Sequence, residues 1–247
     1  MLDIATRPTI ATFIKTDSPQ VVEVLGGCGL DYLILDAEHA PFDRNAMDRM
    51  LLAARAANVP MLVRIADHRE STILSALDMG AVGIVVPHVD SALEAARIVA
   101  AARYVGGRRG FSGSPRAGGY GSLPVGRAIA YGDTSLVICQ IESGVAVAAA
   151  NEIVAVQGVA GLFVGRADLA LSLGVSDWRG AEIIEAVKRC TAAASVCSIP
   201  VLVAVDGEPD MRLFSNMGAR SFVFGSDQSL LRSAACRLPE LLRKTTS

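Results

Sequence analysis

The run Leu136-Val137-Ile138-Cys139-Gln140-Ile141 is apolar except for Gln140 and stops at Glu142; the next such run, Gly161-Leu162-Phe163-Val164, opens onto Gly165-Arg166-Ala167-Asp168. Neither run alternates polar with apolar side chains, which is the pattern of parallel strands covered on both faces. The same unit recurs in both directions along the chain. Thr9–Ile14 and residues 31–35, 61–65 and 82–86 precede the pair, and residues 199–204 and 221–224 follow it, giving eight candidate strands.

Helix signals fall between them. Ser18-Pro19 reads as an N-cap with proline at the first helical position and Gly26-Gly27 as the stop, and Ser91-x-x-Glu94 has the form of a capping box. Over residues 43–57, Ala46, Met47, Met50, Leu51 and Ala54 fall on one helical stripe, so both methionines read as core. Strict strand–helix alternation with right-handed crossovers leaves a closed barrel or a doubly wound sheet. Eight repeats within 247 residues predict a single (β/α)8 TIM barrel domain. One stretch breaks the rhythm: residues 106–127 are glycine-rich and carry Arg108, Arg109, Arg116 and Arg127, which predicts a lid or an interface arm.

A formal charge of -2, with no basic block interleaved with aromatics, argues against a nucleic-acid partner. A mean hydropathy of +0.41 arises from alanine- and valine-rich segments that charges or glycines interrupt, so no membrane span is expected. The cysteines Cys28, Cys139, Cys190, Cys197 and Cys236 are odd in number and lack paired spacing. They read as reduced thiols of a cytoplasmic protein.

In such a barrel the functional side chains stand at the C-terminal ends of the strands. There the sequence places Asp36-Ala37-Glu38-His39, Arg64, Gln140 and Glu142, and Gly165-Arg166-Ala167-Asp168. Glu142 and Asp168 follow neighbouring strands and together offer two hard oxygen ligands for a divalent metal such as Mg2+ or Mn2+; alternatively each caps the helix after its strand. Arg64 closes a buried strand and either pairs with a carboxylate such as Asp36 or binds a ligand oxygen. The backbone of residues 165–168 enters a helix and can hold an anion. His39 is a candidate general base, whereas Asp78 opposes the dipole of a helix C-terminus and calls for a partner. Lys15, at the end of the first strand, is the one lysine placed for a Schiff base.

The ordered set Leu35-Asp36-Ala37-Glu38-His39, Val63-Arg64, Gln140-Ile141-Glu142 and Gly165-x-Ala167-Asp168-Leu169 resembles the HpcH/HpaI family of metal-dependent, class II pyruvate aldolases. The resemblance implies a barrel of the phosphoenolpyruvate/pyruvate superfamily that reversibly cleaves a 4-hydroxy-2-oxo acid to pyruvate and an aldehyde, using Mg2+, Mn2+ or Co2+. It implies that Glu142 and Asp168 ligate the metal, that Gln140 helps position pyruvate, and that Arg64 stabilises the enolate oxygen. It further implies that the backbone of Gly165, Arg166 and Ala167 holds the pyruvate carboxylate, and that His39 works with Asp78 of an adjacent subunit as an acid–base dyad. A homohexamer, as a trimer of dimers, is implied as well, with the C-terminal helix at about 227–243 packed on a neighbour. Where the family often has proline, Arg166 stands, and this is expected to loosen the turn and add a charge beside the carboxylate site. A CoA-ester lyase of the citrate/malyl-CoA lyase type and a non-catalytic keto-acid binder are the competing readings.

Overall fold

A computed structural model describes residues 2–245. The eight strands are β1 (Thr9–Ile14), β2 (Tyr32–Asp36), β3 (Met61–Arg64), β4 (Gly83–Val86), β5 (Leu136–Ile141), β6 (Gly161–Val164), β7 (Val201–Val205) and β8 (Ser221–Ser226). They pair in parallel in sequence order, and β8 closes on β1. Helices α1 (Pro19–Gly26), α2 (Arg44–Ala56), α3 (Glu70–Asp78) and α4 (Ala92–Ala102) cover the first half. The second half carries α5 (Val125–Gly132), α6 (Gly144–Ala148), α7 (Ala150–Val154), α8 (Arg166–Leu173), α9 (Ala181–Val196), α10 (Glu208–Asn216) and α11 (Asp227–Thr245).

The strands look apolar throughout because each alternate face meets a different core. Leu33, Leu35, Val63, Ile84, Val137, Cys139 and Val203 face the helices, while Ala11, Phe13, Tyr32, Ile34, Leu62, Val85, Ile138, Phe163, Leu202 and Val223 fill the barrel interior. Each fully buried aliphatic chain contributes about 1.5–3 kcal/mol, so closure buries two hydrophobic surfaces at once. At the N-terminal ends of the strands, Leu2 and Ile4 join the interior cluster and plug it. Tyr32 Oη and Thr9 Oγ1 both bond the Ser221 hydroxyl there, at 2.6 and 2.7 Å.

Local signals held with small changes. Asp43 caps α2, accepting from Ala46 N at 2.7 Å. Met50 is buried, and Met47 packs half-buried against the core. Ser91 accepts from Glu94 N at 3.3 Å, but the Glu94 carboxylate takes the Asp90 N–H rather than that of Ser91. Ser18 precedes α1 without capping it, because its hydroxyl turns to Gln20 Oε1.

The glycine-rich stretch lies between α4 and β5, and is therefore an α-to-β connection at the N-terminal end of the strands. Within its own chain it is no lid over the opposite rim. It holds a 3-10 helix (Arg116–Gly121) and runs into α5, and its arginines tie it down: Arg108 to Glu70, Arg109 to Asp78 and Arg116 to Asp48. A cavity of about 540 Å³ opens beside it, with Leu51, Asn58, Arg116 and Tyr131 in its wall, and no strand-end carboxylate lines it.

Candidate active site

Inward parity gathers the polar groups at the C-terminal rim. On β2 the interior series Tyr32 and Ile34 continues to Asp36; on β3 Leu62 continues to Arg64; on β5 Ile138 continues to Gln140 and, past the strand end, to Glu142. Pairing of β2 with β3 puts Asp36 opposite Arg64. Arg64 Nε donates to Asp36 Oδ1 at 2.9 Å and Nη2 donates to Oδ2 at 2.7 Å, while its guanidinium lies 4.6 Å over the Phe13 ring. Lys15 Nζ stands 3.0 Å from Asp36 Oδ2, and His39 N donates to Oδ1 at 3.2 Å. Burial works to raise the Asp36 pKa, but the Arg64 bonds and charge outweigh it and hold the carboxyl below its ordinary value. The bidentate pair leaves Arg64 Nη1 facing Glu38 Oε2 at 3.3 Å.

Glu142 is the second buried centre. Its Oε2 accepts from Gln140 Nε2, and its Oε1 accepts the His88 backbone N–H at 2.8 Å and lies 2.7 Å from His88 Nδ1. That double contact depends on His88 adopting φ +53°, a left-handed conformation costing about 1–3 kcal/mol for a side-chain-bearing residue. His88 Nε2 lies 3.6 Å from Glu38 Oε1, and His39 Nε2 lies 3.7 Å from Glu38 Oε2. Burial, opposed by Arg64 and His39 and reinforced by Glu142, raises the Glu38 pKa.

The turn after β6 abuts this centre. A Cβ at Gly165 would lie 2.9 Å from Glu142 Oε2 and 3.2 Å from Gln140 Nε2, so glycine is what lets the carboxylate sit there. The Gly165 N–H is committed to Ile141 O at 3.0 Å. The open donors are therefore the next three N–H groups, in the first turn of α8, where a helix has no internal acceptors and Gly165 offers no side-chain cap. Asp168 is half-buried in that same first turn.

One expectation needs correction. Arg166 does not place its charge beside the carboxylate turn: the side chain is buried, bonds Ala204 O and Asp210, and lies between the Trp178 and Phe214 rings. A guanidinium there is neutralised and stacked rather than free to meet a ligand. Asp78 finds its compensating partner within its own chain, because Arg109 Nη2 donates to Oδ1 at 2.9 Å. It ends α3 at the N-terminal end of the strands, whereas His39 follows β2 at the other end, so no dyad forms within one chain.

The cluster also contains groups the sequence reading left without a role. Among the described residues, Glu38, His88 and Glu142 offer ligand atoms within 4.8 Å of one another, and Asp168 is not part of that trio. Glu38 continues the inward parity of β2 and was detectable that way. His88 has no such signal, because only its left-handed backbone brings it in. Gln140 Oε1 is buried and accepts no hydrogen bond among the described residues, and Glu38 Oε2 is held by the ion pair with Arg64 Nη1 at 3.3 Å. Carboxylate and amide oxygens with one imidazole suit a hard or borderline divalent cation, so these residues fit a metal.

Comparison with known proteins finds relatives along nearly the whole chain. Residues 9–234 match the model of the HpcH/HpaI aldolase/citrate lyase family. A 5-keto-4-deoxy-D-glucarate aldolase of Klebsiella pneumoniae is 35% identical over 229 residues, covering 92% of this chain and 89% of that protein. The crystal structure of a family protein from Burkholderia cenocepacia superposes with a TM-score of 0.91 at 29% identity, covering 99% and 97% of the two chains. A family aldolase from Desulfitobacterium hafniense gives 0.89 at 25% identity, covering 96% and 93%. A barrel with its buried carboxylates and its arginine at the C-terminal rim, and relatives that match along nearly its whole length, place this chain in the HpcH/HpaI aldolase/citrate lyase family, as a carbon–carbon lyase of the class II aldolase type.

Proposed function

We propose that the rim described above cleaves a 4-hydroxy-2-oxo acid reversibly into pyruvate and an aldehyde, with Glu142 and Asp168 holding a divalent cation, Mg2+, Mn2+ or Co2+. The observation that carries this reading is the juxtaposition of the Asp36–Arg64 bidentate pair with the Gln140–Glu142 pair at one end of the barrel. When bound, the cation supplies a Lewis acid that polarises the 2-oxo group. Arg64, its Nε and Nη2 fixed by Asp36, presents a preorganised positive charge where the enolate oxygen develops. The open N–H groups of residues 166–168 take the substrate carboxylate, and Gln140 fixes the Glu142 carboxylate beside it. His39, with Asp78 from a neighbouring copy, removes the proton from the C4 hydroxyl. The C3–C4 bond then breaks, its electrons remain on the pyruvate fragment as enolate, and protonation of C3 completes pyruvate.

A second arrangement of the cation has its own support: the Glu38, His88 and Glu142 trio within 4.8 Å. Metal titration separates the two. Loss of affinity in Asp168→Asn but not His88→Ala favours the first, and the reverse favours the second. A Schiff base on Lys15 has less support, since its Nζ is engaged by Asp36 Oδ2 at 3.0 Å. The non-catalytic reading loses its ground with Arg166 turned away from the site.

The relative's substrate makes 5-keto-4-deoxy-D-glucarate the first compound to assay, with acyl-CoA esters as the control for a CoA-ester lyase. Metal-dependent release of pyruvate and exchange of pyruvate methyl protons in deuterated water are expected. Turnover that survives exhaustive chelation, with borohydride trapping on Lys15, overturns the proposal. A homohexamer and a cytoplasmic, reducing location belong to the same reading; α11 exposes Leu230, Leu231 and Leu238, as a helix packing on a neighbour would, and all five cysteines are free.

A further inference from the structure

The helix that opens beside Glu142 has little of its own to fix its first turn. α8 is eight residues long, its N-cap is Gly165 with no side-chain cap, and its anchoring apolar residues, Leu169 and Ala170, lie a turn further on. The first helical residue, Arg166, is instead 3% exposed and reaches away from the polar cluster. Its Nη2 donates to Ala204 O at 2.6 Å and to Asp210 Oδ2 at 2.7 Å, joining the turn after β6 to β7 and to α10. The guanidinium carbon lies 4.7 Å from the Trp178 ring centroid and 4.7 Å from that of Phe214. Asp210 is itself held, since Oδ2 also accepts Asp206 N at 3.3 Å, and Arg179 lies 4.2 Å over Trp178 while donating to Asp206 at 2.9 Å.

We propose that Arg166 is a positioning residue: its buried guanidinium, clamped by Ala204, Asp210, Trp178 and Phe214, fixes the register of residues 165–168 so that the free N–H groups of residues 166–168 and the Asp168 side chain meet the ligand in one orientation. A charge this deeply buried is stable only while its bonds and stacked rings stay in place, so the turn cannot shift without breaking all of them together. The side chain touches neither substrate nor reacting atoms, and its effect passes through the backbone of its own turn. Trp178 is the chain's single tryptophan, so its emission reports the clamp directly. The ligand part of this inference rests on the reading that the turn receives the substrate carboxylate; the mechanical part does not.

Arg166→Met keeps an unbranched apolar stem but removes both hydrogen bonds, the charge and the stacked guanidinium, and Arg166→Lys restores a cation within reach of Asp210. Oxalate, with Mg2+, is the probe of the turn, and amide hydrogen exchange of residues 169–172 is the probe of the clamp. In Arg166→Met the oxalate dissociation constant and the KM are expected to rise about tenfold, kcat to change less than about threefold, and those amides to exchange about tenfold faster with a red shift of Trp178 emission. Arg166→Lys is expected to recover most of the loss. Asp210→Asn, a change at a partly exposed partner, gives the same signature more weakly and serves if Arg166→Met does not fold. Unchanged exchange in Arg166→Met or Asp210→Asn, with or without a change in KM, overturns the clamp. If the unaltered protein binds no oxalate with Mg2+ yet exchange quickens in the variants, the clamp stands and the proposed function fails.

Discussion

The two ends of the barrel interior are built from the same alternating strand positions and solve opposite problems. At the N-terminal end, Thr9, Tyr32 and Ser221 satisfy one another through neutral hydroxyls, and Leu2 and Ile4 exclude water. At the C-terminal end the inward positions carry Asp36, Arg64, Gln140 and Glu142, with Gln140 Oε1 buried and lacking a donor among the described residues and Glu38 Oε2 held by its ion pair with Arg64. One end is chemically closed, and the other retains binding capacity at a cost in stability. The contrast assigns stability to one rim and chemistry to the other, as this architecture generally does.

Substitutions can break or sharpen that contrast. The largest effect is expected from Glu142→Gln, which keeps the shape but removes the charge: kcat/KM is expected to fall roughly a thousandfold while the melting temperature moves little, read by steady-state assay and calorimetry. An equal loss of stability and activity there would blur the distinction. Asp36→Asn strips the partner from Arg64 and Lys15 in a fully buried position and is expected to cost about 3–5 kcal/mol in urea unfolding; a cost below about 1 kcal/mol would mean that the pair relaxes into solvent.

Gly165→Ala tests whether the carboxylate needs the space beside it. Its backbone conformation suits alanine, so stability should hold, while displacement of Glu142 is expected to lower kcat about a hundredfold. Activity within twofold of the parent would show that Glu142 adapts. The smallest effect belongs to the closed end: Tyr32→Phe removes one hydroxyl bond, costs about 1 kcal/mol, and leaves kcat unchanged. A fall in kcat would show that the neutral end is mechanically coupled to the charged one.

Much of this was legible in the chain itself. The strands announce themselves because both faces are buried, and β1, β5 and β6 begin and end where the apolar runs do; elsewhere some ends move by one or two residues, Asp31, Ile65, Val82, Ile199 and Pro200 falling outside the strands and Asp36, Val205, Gly225 and Ser226 extending them. Asp36, Arg64, Gln140 and Glu142 follow from inward parity on β2, β3 and β5. Less could be read where a side chain's direction depends on distant partners. Arg166 turns toward Trp178, in the turn before α9, and Phe214 on α10, and Asp78 meets Arg109 of the glycine-rich connection. His88 reaches Glu142 only through a left-handed backbone, a choice that no spacing of residue types announces.

The Leu2–Ile4 cork has a practical consequence. Trimming back to Thr9 removes the two side chains that keep solvent out of the barrel's floor, so truncations that reach past Leu2 are expected to loosen the interior, whereas changes confined to exposed loops are not.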